Sequence, residues 1–302
     1  MERGYKMAKI VECVPNFSEG CNQEIIDAIT AEVKKVEGVT LLNVQSDASH
    51  NRTVVTFIGE PSAVKQAAFA SCAKATELID MEKHHGEHPR IGATDVIPFI
   101  PVSEVTIEEC IELANELGKE IAEKLNVPVY MYEAAAKKPE RIKLPDVRKG
   151  QYEGLKAEIG KPERQPDYGP AHMHPTAGAT VVGARQFLIA YNINLSTSDV
   201  KIAKKIANTI REAKGGYKYC RAMGIMIEER NMAQVTINMV NYEGTPLHRV
   251  FETVKSEAAR YGVNVIGSEI VGLMPMQALV DTAEFYLRLE DFDRKQVMEE
   301  NI

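Results

Sequence analysis

The sequence predicts an α+β protein built from two βαββαβ subdomains, residues 1–180 and 181–302. Three observations predict it. At 302 residues the chain is long enough for two domains of roughly 150 residues each. β-Rich runs alternate with segments of helical period in the same order twice. A stretch rich in proline and glycine, residues 160–180, divides the two series and carries Pro162, Pro166, Pro170, Pro175, Gly169 and Gly178.

In the first series, residues 10–17 form a short β-rich run that ends near Pro15. Asn22 is placed to cap a helix whose Ile25, Ile26, Ile29 and Val33 recur at helical spacing, and Gly38 ends it. Residues 39–44 and 53–58 read as two strands joined by a polar turn. Pro61 opens a second helix at the position where a missing N–H costs nothing. Residues 96–102 form the closing strand. The interlude holds an amphipathic helix over 106–125, a further strand over 127–132 and a helix over 145–159.

The second series begins with a strand over 187–195 and a helix capped by Ser198 or Asp199. Strands over 221–227 and 235–240 follow the Gly215-Gly216 break, and Thr245 is placed to cap the next helix. Gly262 stops that helix before a strand over 263–270, and Pro275 starts a last helix. A βαββαβ unit folds as an antiparallel sheet with two helices on one face, the ferredoxin-like arrangement. Each sheet keeps an uncovered face, and two such faces turned to each other leave a shared groove of the kind ligands favour.

Composition narrows the class. With 44% hydrophobic and 26% charged residues the chain is an ordinary globular protein, which excludes disorder and collagen-like structure. A formal charge of −7 argues against general nucleic-acid binding. Cys13, Cys21, Cys72, Cys110 and Cys220 are scattered and odd in number, so reduced thiols are expected rather than a disulfide framework or zinc knuckle. Residues 1–9 lack the apolar core of a signal peptide, and no run reaches the length of a membrane span. A soluble, cytoplasmic protein is expected, with no membrane partner.

Histidine titrates nearest neutrality and is the first suspect for proton transfer. The run His84-His85-Gly86-Glu87-His88-Pro89-Arg90-Ile91-Gly92 sets imidazole, carboxylate and guanidinium side by side, and Pro89 holds His88 in extended geometry. Composition alone would equally make it an exposed polar loop. His84 and His88 stand at the spacing of two helical zinc ligands, yet Gly86 and Pro89 oppose a helix there. No metal is expected. Phosphate-binding glycine loops, nucleophile elbows and aromatic RNA-binding patterns are missing.

Several longer runs resemble the glutamate formimidoyltransferase (formiminotransferase) family. They include Val11-Glu12-Cys13-Val14-Pro15-Asn16-Phe17-Ser18-Glu19-Gly20, Gly86-Glu87-His88-Pro89-Arg90-Ile91-Gly92-Ala93, Arg148-Lys149-Gly150-Gln151-Tyr152-Glu153 and Gly183-Ala184-Arg185-Gln186-Phe187. The resemblance spans nearly the whole chain. It implies transfer of a formimidoyl group from N-formimidoyl-L-glutamate to N5 of tetrahydrofolate, giving 5-formimidoyltetrahydrofolate and L-glutamate, in histidine breakdown. It also implies two α/β subdomains with folate held between them, a homodimer, and no cyclodeaminase activity in this chain. The family's catalytic histidine maps to His88. Its folate-contacting stretch maps to Gly169, Pro170, Ala171, His172, Met173, His174, Pro175, Thr176, Ala177 and Gly178.

The chain departs from the family in two places. Residues 171–177 lack the tryptophan of the animal version, and Asn43 and Gln45 stand where acidic residues are common. In the implied reaction an amine attacks an amidinium carbon, and His88 carries the proton from N5 to the departing nitrogen. Arg52, Arg90 and Arg185 lie in the matching runs and are the expected partners of the substrate carboxylates. Formyl transfer between glutamate and tetrahydrofolate, a non-catalytic folate-binding protein, and a metal-dependent amidohydrolase are the alternatives.

Overall fold

The computed structural model describes residues 8–298; residues 1–7, where the sequence predicts no leader, lie outside them. The chain divides into two compact units, Met1–Arg185 and Gln186–Ile302. The divide falls at 185/186 rather than 180/181, because the strand Thr180–Ala184 joins the first sheet.

The first unit contains β1 (Ile10–Cys13), β2 (Asn16–Phe17), α1 (Gln23–Lys34), β3 (Val39–Asp47), β4 (Arg52–Gly59), α2 (Pro61–Leu78), β5 (Thr94–Ser103), α3 (Ile107–Leu125), β6 (Val129–Glu133), α4 (Leu144–Val147), α5 (Gln151–Glu158) and β7 (Thr180–Ala184). Local signals set the helix starts. The Asn22 side chain accepts hydrogen bonds from the backbone N–H groups of Glu24 and Ile25, and Pro61 occupies the first turn of α2. Thr106 and Glu109 cap α3 reciprocally, at 3.2 and 2.8 Å.

The run over 10–17 divides at Val14-Pro15 into β1 and β2, both lying between β4 and β5. With β3 beside β4, these strands pair antiparallel. Val11, Cys13, Val55, Phe57, Ile97 and Phe99 point to one face, where α1, α2 and α3 bury them. Fully burying one such phenylalanine contributes roughly 1.5–3 kcal/mol.

An antiparallel sheet throughout is corrected here. β7 lies between β5 and β6 and runs parallel to both. Parallel neighbours need a long crossover, and the chain between β6 and β7 supplies one. α4 and α5 lie on it, and their Val147 and Leu155 pack with Val96, Tyr130, Tyr132 and Val181 on the second face of the sheet. The helix expected over 145–159 breaks because Gly150 adopts φ +84°, a left-handed conformation that ends α4 before α5 begins.

The second unit contains β8 (Ile189–Leu195), α6 (Val200–Ile210), β9 (Cys220–Ile227), β10 (Met232–Met239), α7 (Leu247–Ala259), β11 (Val265–Val271) and α8 (Met276–Leu287). Its sheet order is β11-β8-β10-β9, with every pair antiparallel. α6 and α7 cover one face, and Asp199 caps α6 through the N–H of Lys201. Thr245 does not cap α7. Its hydroxyl donates to the carbonyl of Lys218 at 2.6 Å, and the helix starts after Pro246.

Candidate active site

The loop between α2 and β5 carries His88, and backbone bonds fix both its ends. The N–H of Met81 donates to the carbonyl of Thr176, and that of Ala93 to the carbonyl of Ala177, both at 2.8 Å. Gly92 faces Gly178 across an isolated bridge. A Cβ at Gly92 would stand 1.9 Å from the carbonyl oxygen of Ala179, so only glycine permits this approach. The 169–178 segment therefore lies directly against the loop that holds His88. His174 organises its turn, its Nδ1 accepting from the N–H groups of Thr176 and Ala177 at 3.3 and 3.0 Å.

Arg90 anchors the middle of the loop. It is buried, and its Nε donates to Nδ1 of His84 while its two terminal nitrogens reach Glu153, the closest contact being 2.7 Å. Nδ1 of His84 is thus an acceptor, so the neutral ring carries its proton on Nε2 and donates it to the carbonyl of Asn51 at 2.9 Å. Burial, chiefly, lowers the His84 pKa and favours that form.

His88 is half-buried in the same loop. Burial, followed by the positive charges of Arg52 and Arg148 and then His50 and His84, lowers its pKa to about 3. Arg148 pairs with Asp95, a nearly fully buried carboxylate whose other oxygen accepts the N–H of Ile91 at 2.9 Å. Among the described residues, the Nε atoms of Arg52 and Arg148 are buried without hydrogen-bond partners. His50 sits on the β3–β4 turn, its Nδ1 2.8 Å from Asp47. A neutral imidazole thus stands within the field of two guanidinium groups, an electrostatic setting that favours anions.

Strand register defines the neighbouring surface. Val55 and Phe57 face the helices, so Arg52, Val54 and Thr56 face the other way. Asp47, Gln45 and Asn43 lie opposite Arg52, Val54 and Thr56, on that same face. Glu12, between Val11 and Cys13 in β1, joins them beside Ile58. It is 6% exposed and accepts no hydrogen bond among the described residues. Its burial, only partly offset by Arg185, raises its pKa to about 7.

Of the residues expected from sequence, His88, Arg52 and the 169–178 segment gather in one region. Arg90 is spent on Glu153 and His84. Arg185 follows β7, its N–H donating to the carbonyl of Phe99 at 3.0 Å, and its charge acts on Glu12 rather than His88. Sequence reasoning missed Arg148, Asp95 and Glu12 as site residues. Arg148 opened a matching run, but nothing local tied it to His88. Among the described residues, no group of three or more His, Cys, Asp or Glu side chains is arranged to hold a metal.

Comparison with known proteins places the chain. The model of the formiminotransferase domain, N-terminal subdomain, matches residues 10–185, and that of the formiminotransferase domain matches residues 190–301. The chain is 54% identical to a glutamate formimidoyltransferase of Streptococcus pyogenes serotype M1, covering 98% of this chain and 99% of the relative. It is 47% identical to a glutamate formimidoyltransferase of Thermoplasma acidophilum, covering 96% of each. A formimidoyltransferase-cyclodeaminase of Gallus gallus is 49% identical over 94% of this chain, which spans 53% of that protein. The fold is α+β, in two units, and the curated relatives are enzymes. The chain belongs to the formiminotransferase family.

Proposed function

We propose that this enzyme transfers the formimidoyl group of N-formimidoyl-L-glutamate to N5 of tetrahydrofolate, with His88 as the proton carrier. The observation that carries the proposal is the neutral, half-buried imidazole of His88 held among Arg52, Arg148 and the folate-implicated 169–178 segment. Both substrates bear carboxylates, and the guanidinium groups of Arg52 and Arg148 beside His88 suit them. A carboxylate bound there offsets the charges that depress the His88 pKa. The ring then holds a proton more readily once substrate is in place.

The chemistry follows from that change. N5 attacks the amidinium carbon, and His88 takes the N5 proton as the tetrahedral intermediate forms. It returns a proton to the glutamate nitrogen, which leaves as a neutral amine while the formimidoyl carbon stays on N5. The backbone of the 169–178 turn, tied to residues 91–93, positions the folate, and this orientation supplies a further large part of the rate. Tetrahydrofolate is a co-substrate, and no resident metal is invoked. The proposal takes each subdomain as ferredoxin-like, supported by the strand order β11-β8-β10-β9 and by the alignment of β3, β4, β1/β2 and β5 in the first unit.

A second reading, formyl rather than formimidoyl transfer, is favoured by one observation. Asn43 and Gln45, on the Arg52 face, are neutral, and a neutral formyl group needs no anion beside it. Assay of the purified enzyme with both donors separates the two. The His88→Ala variant tests the shared role: turnover falls by about 10²–10⁴ while folate affinity is retained. Near-normal turnover removes His88 from the mechanism.

A further inference from the structure

The chemistry proposed above uses His88 but not the imidazole at the start of the same loop. His84 is 7% exposed, and both its ring nitrogens are engaged. Nδ1 accepts the Nε hydrogen of Arg90 at 3.1 Å, and Nε2 donates to the carbonyl of Asn51 at 2.9 Å. Arginine only donates and a carbonyl only accepts, so the two contacts admit one form of the ring, neutral with its proton on Nε2.

Each partner is itself held. Arg90 donates to the Glu153 carboxylate of α5 through both terminal nitrogens, at 3.0 and 2.7 Å, and to Oε1 of Gln151 at 3.1 Å. Asn51 occupies the β3–β4 turn at φ +45°. Its Oδ1 accepts the N–H of Gly20 and its Nδ2 donates to the carbonyl of His85, both at 2.8 Å. The seam continues toward His88. The N–H of Glu87 donates to the carbonyl of Ser49 at 3.3 Å, and a Cβ at Gly86 would stand 2.4 Å from the carbonyl oxygen of His50. His84 thus ties α5, through Arg90, to the β3–β4 turn, and the residues just before His88 run along that joint.

A proton on Nδ1 breaks the joint. It sets N–H against N–H and places a second cation beside a guanidinium that Glu153 keeps in place. The charged or titratable groups facing His84 are Arg90, His85 and His88 on its own loop and Glu19 on the loop before α1. Burial lowers its pKa most. The Asn51 carbonyl offsets part of this, Arg90 lowers it further, and Glu19 and His85 act with opposite signs.

We propose that His84 is a positioning residue: neutral, it locks the His88 loop between Arg90 and the β3–β4 turn, and protonated, it releases that loop. The lock stands on the geometry alone; its kinetic consequence, loss of kcat in acid, rests on the reading of His88 as proton carrier. The locked form binds one proton fewer than the released form, so acid favours release. Below the ordinary value of 6.5 the released fraction rises by at most about tenfold per pH unit, until the locked ring itself titrates.

Amide hydrogen exchange of the full chain, followed by NMR at Glu87 and corrected for the intrinsic effect of pH, tests the lock without reference to activity. In the wild type, protection of this amide falls as pH drops below 6.5. In His84→Gln, whose amide serves Arg90 and Asn51 but takes up no proton, protection does not follow pH. His84→Leu loses protection at neutral pH, and its kcat falls by about 10–100-fold while KM for either substrate stays within about threefold. His84→Gln recovers most of that kcat. Wild-type protection that ignores pH, or that changes equally in His84→Gln, overturns the lock. So does a His84→Leu variant with normal kcat, or one in which only KM rises. If His84→Leu does not fold, the exchange profiles of the wild type and His84→Gln decide. The expected profiles in an enzyme that transfers neither formimidoyl nor formyl groups overturn the proposed chemistry and leave the lock standing.

Discussion

Replacing Glu12 by glutamine keeps the shape of the side chain and removes its charge. Glu12 is 6% exposed, and burial raises its pKa from the ordinary 4.5 to about 7. Between those values the folded chain holds a proton that the unfolded chain has released. The unfolded state therefore binds fewer protons, and stability falls as pH rises through this window. At about 1.4 kcal/mol per unit, ionised Glu12 costs about 3 kcal/mol above pH 7. Below 4.5 the wild type and Glu12→Gln should have similar stability; above pH 7 the variant should be the more stable by about that amount. Urea unfolding followed by circular dichroism across the pH range measures the difference. A gap that stays flat with pH refutes the argument that Glu12 is a buried, unpaired acid.

The same linkage gives His88 the opposite sign. With its pKa lowered from 6.5 to about 3, the unfolded state binds the extra proton, so His88 makes stability rise with pH across that interval; His88→Gln should flatten this slope in acid unfolding curves. In NMR titration the free enzyme's His88 should stay neutral down to about pH 4, and a saturating carboxylate ligand should move its midpoint up. Arg148→Met should leave Asp95 buried without its guanidinium, costing about 3 kcal/mol in urea unfolding, whereas Arg52→Met should cost less because, among the described residues, Arg52 has no carboxylate at ion-pair contact and feels Asp95 and Asp47 only at longer range. Gln45→Glu combined with Asn43→Asp should raise kcat/KM for formimidoylglutamate relative to formylglutamate, measured with both donors.

Much of the fold was legible because its signals are local. Asn22, Thr106 and Asp199 cap helices through side chains acting within three residues, and Pro61 acts through its own ring. Strand periodicity gave the element order for the same reason: alternation is a property of consecutive residues. The run around His88 stood out because glycine, proline and charge crowd into one short stretch, and the resemblance singled out His88 within it.

Long-range partners had no such signal. β7 is five residues beside the proline-rich stretch, and only a vacant position between β5 and β6 makes it a parallel strand. Arg90 looked like Arg52 in sequence, yet Glu153, far along the chain, decides that it is structural. Arg148 reaches the site because Asp95, equally remote, holds it there. Glu12 drew no notice in the β-rich run over 10–17, and only the packed structure makes it a buried acid. The sequence by itself determined where helices and strands begin, because capping and periodicity act over a few residues. The tertiary structure alone decided which charges meet, because pairing and burial depend on contacts made across dozens of residues.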